Sequence, residues 1–238
     1  MTNYLKFLIC IIIPLLLGCG YTSDEIIFDE TKKVYQLYDT YVDEYGNKGV
    51  VVHCEYDSYH GCIIVVSADE AYLPWGPLGE TVYQIEDTLR FPQNVYGDDS
   101  FGTAMLHLMK SRGIENYPAM NWCNKKNPTD KPSSSSSWRL PTRKEVWECL
   151  VINTDLDELN AVLSKIGGVP LNDEYFYWTC AEDYCNYNQE GVVNENADPS
   201  NMAIVAPLVG SYDRKDGRLK KKSYYVRAIK YIYLEEYN

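Results

Sequence analysis

Histidine is scarce in this chain, three in 238 residues. They fall on segments of different types, too scattered to build a catalytic site. No glycine-rich phosphate loop and no Gly-x-Ser-x-Gly is present, so neither a phosphate cradle nor the exposed serine of a hydrolase elbow is on offer. The carboxylates fall into no paired pattern. Basic residues are also short, 22 against 34 acidic for a net charge of −12. That disfavours nucleic acid, polyanionic glycans and anionic lipid headgroups as principal partners. The one long apolar run, Phe7 to Leu17, is too short for the roughly 20 residues that a helix needs to cross a bilayer. The text names no catalytic residue, metal or cofactor.

What that run does fit is a signal h-region. Lys6 precedes it, and it ends in Leu16-Leu17-Gly18-Cys19, which resembles the bacterial lipobox. There a small residue precedes a cysteine that is lipidated and becomes the mature N-terminus. Leu17 departs from the usual small residue at its position. The reading is a lipoprotein signal peptide over 1–18, lipidation at Cys19, an acidic tether over 19–34 and one domain over 35–234. Asp24, Glu25, Asp29 and Glu30 in the tether are similar to the acidic export tag that sends some Gram-negative lipoproteins to the outer face of the outer membrane. A plain polar spacer is the other reading. Acyl chains supply about 0.8 kcal/mol per buried CH₂, so the expectation is a lipid-anchored outer-membrane protein facing the exterior. Loss of residues 1–18 removes Lys6 and leaves 21 basic against 34 acidic residues, a net charge of −13.

Tyrosine is the abundant oddity, 22 residues beside five tryptophans. Tyr combines a rigid apolar body with a polar tip and suits adaptable recognition surfaces; β-rich folds enrich it too. Six cysteines remain once Cys10 is cleaved away and Cys19 acylated. Cys54 and Cys62 flank the turn Asp57–Gly61, and a loop centred on Ser58 sets them opposite each other, a disulfide expectation. Zinc is the rival there, since His53, Cys54, His60 and Cys62 cluster. Adjacent strand residues face opposite ways, however, and the spacing matches no standard zinc site.

Along the chain, Lys48–Tyr56 and Cys62–Ser67 read as a Val/Ile-rich hairpin, and Leu73-Pro74-Trp75-Gly76-Pro77 as a rigid loop. Ser100–Arg112 reads as a helix stopped by Gly113, and residues 124–137 as a polar loop. Thr142-Arg143-Lys144-Glu145 is a capping box opening a helix. Asp155 with Glu158 opens another, ended by Gly167-Gly168. Tyr175–Thr179 and Ala203–Val209 read as strands. Asp216-Gly217 reads as a hairpin turn into a closing strand Tyr224–Tyr233. Strands at both ends with helices between give an α+β order.

Three stretches in sequence carry a family likeness: Trp138-Arg139-Leu140-Pro141-Thr142 with Glu145, Tyr177-Trp178-Thr179 with Glu182, and Tyr224-Tyr225-Val226-Arg227-Ala228. They resemble the Fibrobacter succinogenes major paralogous domain, or Lcl-type adhesin C-terminal domain. Gly49-Val50-Val51-Val52, Val65-Val66-Ser67 and Trp75-Gly76 are similar to its opening hairpin, and Cys123 to its frequent first-helix Cys. The resemblance implies a C-type-lectin-like fold over 35–234, with hairpins closing the chain ends, two to three helices and a long displayed loop. The motif residues also have a purely structural reading: Trp138 and Trp178 as core aromatics, Pro141 as a helix start, and Arg227 paired with a buried carboxylate. No Glu-Pro-Asn or Trp-Asn-Asp triplet is present, which speaks against calcium-dependent sugar binding. Lcl-type adhesins are associated with sulfated glycans, an awkward match for so acidic a domain. The basic stretch Arg214, Lys215, Arg218, Lys220, Lys221 and Lys222 offsets this locally or is simply a solvated hairpin tip.

Function then divides. A non-enzymatic surface lipoprotein that binds a glycan or protein ligand is the first expectation. A structural or assembly subunit of a fimbrial or glycan-capture complex is the second. A remote third is a copper oxidase of the formylglycine-generating type, whose two close cysteines Cys180 and Cys185 resemble; a disulfide involving them is simpler, and the flanking motifs of those enzymes are missing. The candidate ligand-binding residues lie in the segment 180–201: Tyr184, Asn186, Tyr187, Asn188, Asn196 and Asp198, mixing amphipathic tyrosines with amides and a carboxylate. An ordinary solvated loop, rich in Asn because Asn tolerates left-handed turns, is the equal alternative.

Overall fold

The computed structural model describes residues 34–56, 61–82, 99–129, 134, 136–183, 198–209 and 216–234. The first strands in chain order are β1 (Thr40–Val42), β2 (Lys48–Tyr56), β3 (Gly61–Ser67) and β4 (Ala71–Pro74). Helices α1 (Asp99–Ser111) and α2 (Pro118–Asn124) follow, then α3 (Arg143–Glu145), which runs into a π-helical stretch Val146–Ile152, and α4 (Leu156–Lys165). The chain then returns to strands: β5 (Phe176–Glu182), β6 (Met202–Pro207), β7 (Asp216–Leu219), β8 (Ser223–Val226) and β9 (Ile229–Leu234). The α+β class holds, with one sheet ordered β1-β2-β3-β9 and a second ordered β4-β8-β5-β6-β7. Among the described residues, no helix is long and apolar enough to cross a membrane.

The first sheet is buried on both faces, which is why its central strands read as unbroken Val/Ile runs. Val51, Ile63 and Val65 enter one core with Trp75, Trp138, Trp178 and the apolar side of α1. Val50, Val52, Ile64 and Val66 enter a second with Val146, Leu150, Leu159 and Leu163. Trp138 and Trp178 are fully buried, as the structural reading of these motifs has it. The capping box forms as read. Thr142 accepts from the Glu145 backbone N–H at 3.2 Å, and Glu145 accepts from the Thr142 N–H at 2.6 Å. Asp155 caps α4 through the Asp157 and Glu158 N–H groups. Helix α2 had no legible start except Pro118 at its first turn, a position where proline's missing N–H costs nothing.

Two expectations change. The β2–β3 pairing shifts between Val51 and His53, so Val51 faces Val65 but His53 faces Ile64. Val52 is the extra residue of a bulge, and beyond it the register moves by one. Cys54 therefore pairs with Ile63 and Cys62 with Glu55. Neighbouring pairs alternate in face, so the two thiols point to opposite sides of the sheet and neither is in a disulfide. Cys54 packs against the first core. Cys62 faces the side of Cys149, on whose titration it acts.

The closing segment is likewise two strands in two sheets. β8 pairs with β4 and, in parallel, with β5 at Tyr177, while β9 pairs with β3. They part at Arg227-Ala228, where the buried Arg227 guanidinium donates to the Ser67, Ala68 and Val169 carbonyls and to Glu70 at 2.9 Å. Glu70 is thus the carboxylate partner of Arg227. Asp216-Gly217 lies inside β7 and not in a turn; the turn follows at Lys220–Lys222, closed by the Lys222 N–H on the Leu219 carbonyl. Gly217 is needed because a Cβ there would come within 2.3 Å of an Asp183 carboxylate oxygen.

Candidate functional site

β4, β8 and the segment leading into β5 bring three tyrosines together beside α4. Tyr175 stacks flat on Tyr225, centroids 3.9 Å apart and planes at 2°. Tyr72 meets Tyr225 edge-on at 5.0 Å and is 60% exposed. The pair sits over a groove of about 690 Å³ whose apolar walls are Leu156, Val169 and Pro170. Its rim carries Glu70, Asp157, Asp173 and Glu174. Glu70 is held by Arg227. The other three are exposed, and no side chain of the described residues forms an ion pair with them. Among the described residues no Lys, Arg or His lines the groove. The Tyr175 hydroxyl beside Tyr225, then burial, the Glu70 charge and Tyr72, push the Tyr225 phenol up to about 12.

The groove's floor is fixed from behind. The Asn160 side chain accepts from the Leu171 N–H at 2.7 Å and donates to the Leu171 carbonyl at 2.8 Å. Asn172 accepts from the Glu174 N–H, and the Tyr177 hydroxyl accepts from the Asn172 N–H. The Asn160 amide is thus engaged at both ends with the backbone.

The second place of interest is the root of segment 184–197. Glu182, at the end of β5, is buried and accepts from the Lys220 ammonium at 2.5 Å and from the Val82 N–H at 2.9 Å and 3.0 Å. Lys220 also donates to the Glu80 carbonyl and lies over the Trp75 ring. Burial pulls the Lys220 ammonium below its ordinary pKa against the pull of Glu182. Lys220 is thus a core residue of the basic stretch read above, whereas Lys221 and Lys222 are exposed and Arg218 packs over Phe176. At the far end of the segment, Asp198 accepts from the Ser200 hydroxyl at 2.6 Å and the Asn201 side chain at 2.8 Å, which hold its carboxyl below the usual range.

Of the residues singled out from the sequence, Cys19, Tyr184, Cys185, Asn186, Tyr187, Asn188 and Asn196 lie outside the described residues, as does His60. Asp198 is described and closes its own turn. Cys180 is a free, fully buried thiol that burial pushes up, so it is held protonated. Among the described residues no three His, Cys, Asp or Glu converge as metal ligands do. The groove escaped sequence reading, since its parts come from residues 70–72, 156–160, 169–175 and 225. The one signal that pointed toward it was the tyrosine excess.

No family model matches the chain, and no curated protein matches it either. A solved fimbrial protein from Bacteroides ovatus ATCC 8483 aligns with a TM-score of 0.47 and 12% identity, covering 70% of this chain. The alignment spans 35% of that longer protein.

Proposed function

We propose that this is a surface-displayed, non-enzymatic lipoprotein whose C-type-lectin-like domain binds a protein or glycan ligand. The observation that carries the binding reading is the tyrosine-walled groove, an exposed aromatic surface on a rigid two-sheet frame. Aromatic side chains left in a concave site offer contact area at little entropic cost. The lectin-like reading is supported by chain ends that share one sheet, β1 and β9, with the helices between them. The anchor reading rests on the Leu16-Leu17-Gly18-Cys19 text and the acidic tether, and it puts the protein on the outer membrane.

Two experiments test this reading. In the native host, Cys19→Ala should abolish labelling by palmitate and release the protein from membranes; unchanged membrane association overturns the lipoprotein assignment. A glycan and host-protein array probed with the full chain in non-ionic detergent should return a saturable ligand. Tyr184→Ala with Tyr187→Ala, and separately Tyr72→Ala, then assign it to the 184–197 segment or to the groove. An array empty at micromolar concentration favours the assembly-subunit role.

A further inference from the structure

Resting on the reading of this domain as a binding module, we infer that the groove beneath Tyr175 and Tyr225 takes a guanidinium- or ammonium-bearing side chain of a protein partner, in a basic, extended segment. Three independent features of the groove select that chemistry. Its walls are apolar, Leu156, Val169 and Pro170, with stacked tyrosine rings above. Long cationic side chains bury their methylene stems along such surfaces and keep the charged head at a polar rim. The rim has three carboxylates, Asp157, Asp173 and Glu174, with no cation among the described residues to neutralise them. A cation arriving between them and the tyrosine faces gains charge-assisted hydrogen bonds and ring-quadrupole attraction together.

The same features disfavour the other ligand classes. An anion meets three like charges, on a chain whose overall charge is already −12. A neutral sugar relies on amides and hydroxyls that can both donate and accept, and the Asn160 amide is occupied at both ends by Leu171. Exposed Tyr72, edge-on to Tyr225, adds aromatic surface beside the groove, giving room for a segment of chain and not only one side chain. The Arg227–Glu70 pair anchors the floor from behind, so the site is held open by the same clasp that parts β8 from β9.

Titration calorimetry with the full chain in a non-ionic detergent tests this, using a Gly-Arg-Gly-Arg-Gly peptide and its counterpart with citrulline in place of arginine. The arginine peptide should bind saturably and the citrulline peptide at least tenfold more weakly. Asp173→Asn with Glu174→Gln should weaken the arginine peptide about tenfold, and Tyr72→Ala several-fold. Glu55→Gln with Glu115→Gln, which removes as much charge outside the groove, should leave it within twofold. Equal loss in both charge variants shows attraction to net charge alone and overturns the inference. So does equal binding of the citrulline peptide, or no binding of the arginine peptide by a chain whose near-UV spectrum is native. Those results leave the broader binding-module reading to the array, where an unrelated ligand can still map to the groove.

Discussion

Carboxylates do opposite work in two regions of this molecule. Beside α3, Glu145 is sealed in, gripped by both terminal nitrogens of Arg139 at 2.7 Å and 2.9 Å and by the Thr142 N–H. Along the groove, Asp157, Asp173 and Glu174 stand in water beside stacked tyrosines. In the first region the charge is committed to the chain itself. A buried ion is tolerable only when every bonding position is filled, and losing one partner strands the other. In the second region solvent carries the charge, and no ion pair among the described residues depends on it. The difference separates residues that hold the domain together from residues free to meet something else.

The sharpest break of that contrast is Arg139→Met. It leaves the Glu145 charge buried without its guanidinium partner, and should cost about 3–5 kcal/mol of stability in a urea titration. A loss near zero would mean that the pair is dispensable and the contrast false. Next comes the Glu182–Lys220 pair. Lys220→Met alone should cost about 3 kcal/mol. Combined with Glu182→Leu the loss should fall short of the sum of the two singles by at least about 1 kcal/mol; strict additivity would show that the two charges do not sense each other.

A smaller effect concerns acid. Burial alone would raise the Asp43 carboxyl, but donors from the Trp138 indole, the Asn47 side chain and the Asn47 and Tyr45 N–H groups hold it below its ordinary 3.8. The folded chain keeps this group ionised where the unfolded chain already takes up a proton. Its stabilisation is therefore complete above pH 3.8 and lost as pH falls through the lower folded value. Asp43→Asn should flatten that part of the stability–pH curve, and an unchanged slope would assign the acid sensitivity elsewhere. Smallest of all, Asp173→Asn with Glu174→Gln should move stability by no more than about 0.5 kcal/mol. A larger drop in thermal denaturation would make the groove carboxylates structural after all.

What could be read in advance was whatever is decided within a few residues. The capping box at Thr142 and Glu145, the Asp155 cap and the stop at Gly113 are local bargains between a side chain and its own backbone, so the text carries them. Lys48–Tyr56 was legible because its valines are buried whichever way the sheet turns. The cysteine pairing was not, because one bulge at Val52 turns Cys54 to the face opposite that of Cys62, and no residue type announces it. Asp216-Gly217 has the composition of a turn, yet its glycine answers to Asp183, more than 30 positions earlier in the chain. The groove failed for the same reason on a larger scale: its walls lie far apart in sequence, and only the packing of β4, β8 and α4 makes them neighbours.

The parting of β8 from β9 has a consequence for how the molecule comes into being. Strand β3 waits for Ile229–Leu234, and β4 for Ser223–Val226, in each case some 150 residues downstream or more. Neither sheet can be completed until the last tenth of the chain has emerged. Contacts this distant are slow to form, because a long loop must close before they return anything. A chain threaded from its N-terminus through a ribosomal tunnel or a membrane pore therefore stays open almost to its end, and then closes around Arg227-Ala228, the link between β8 and β9.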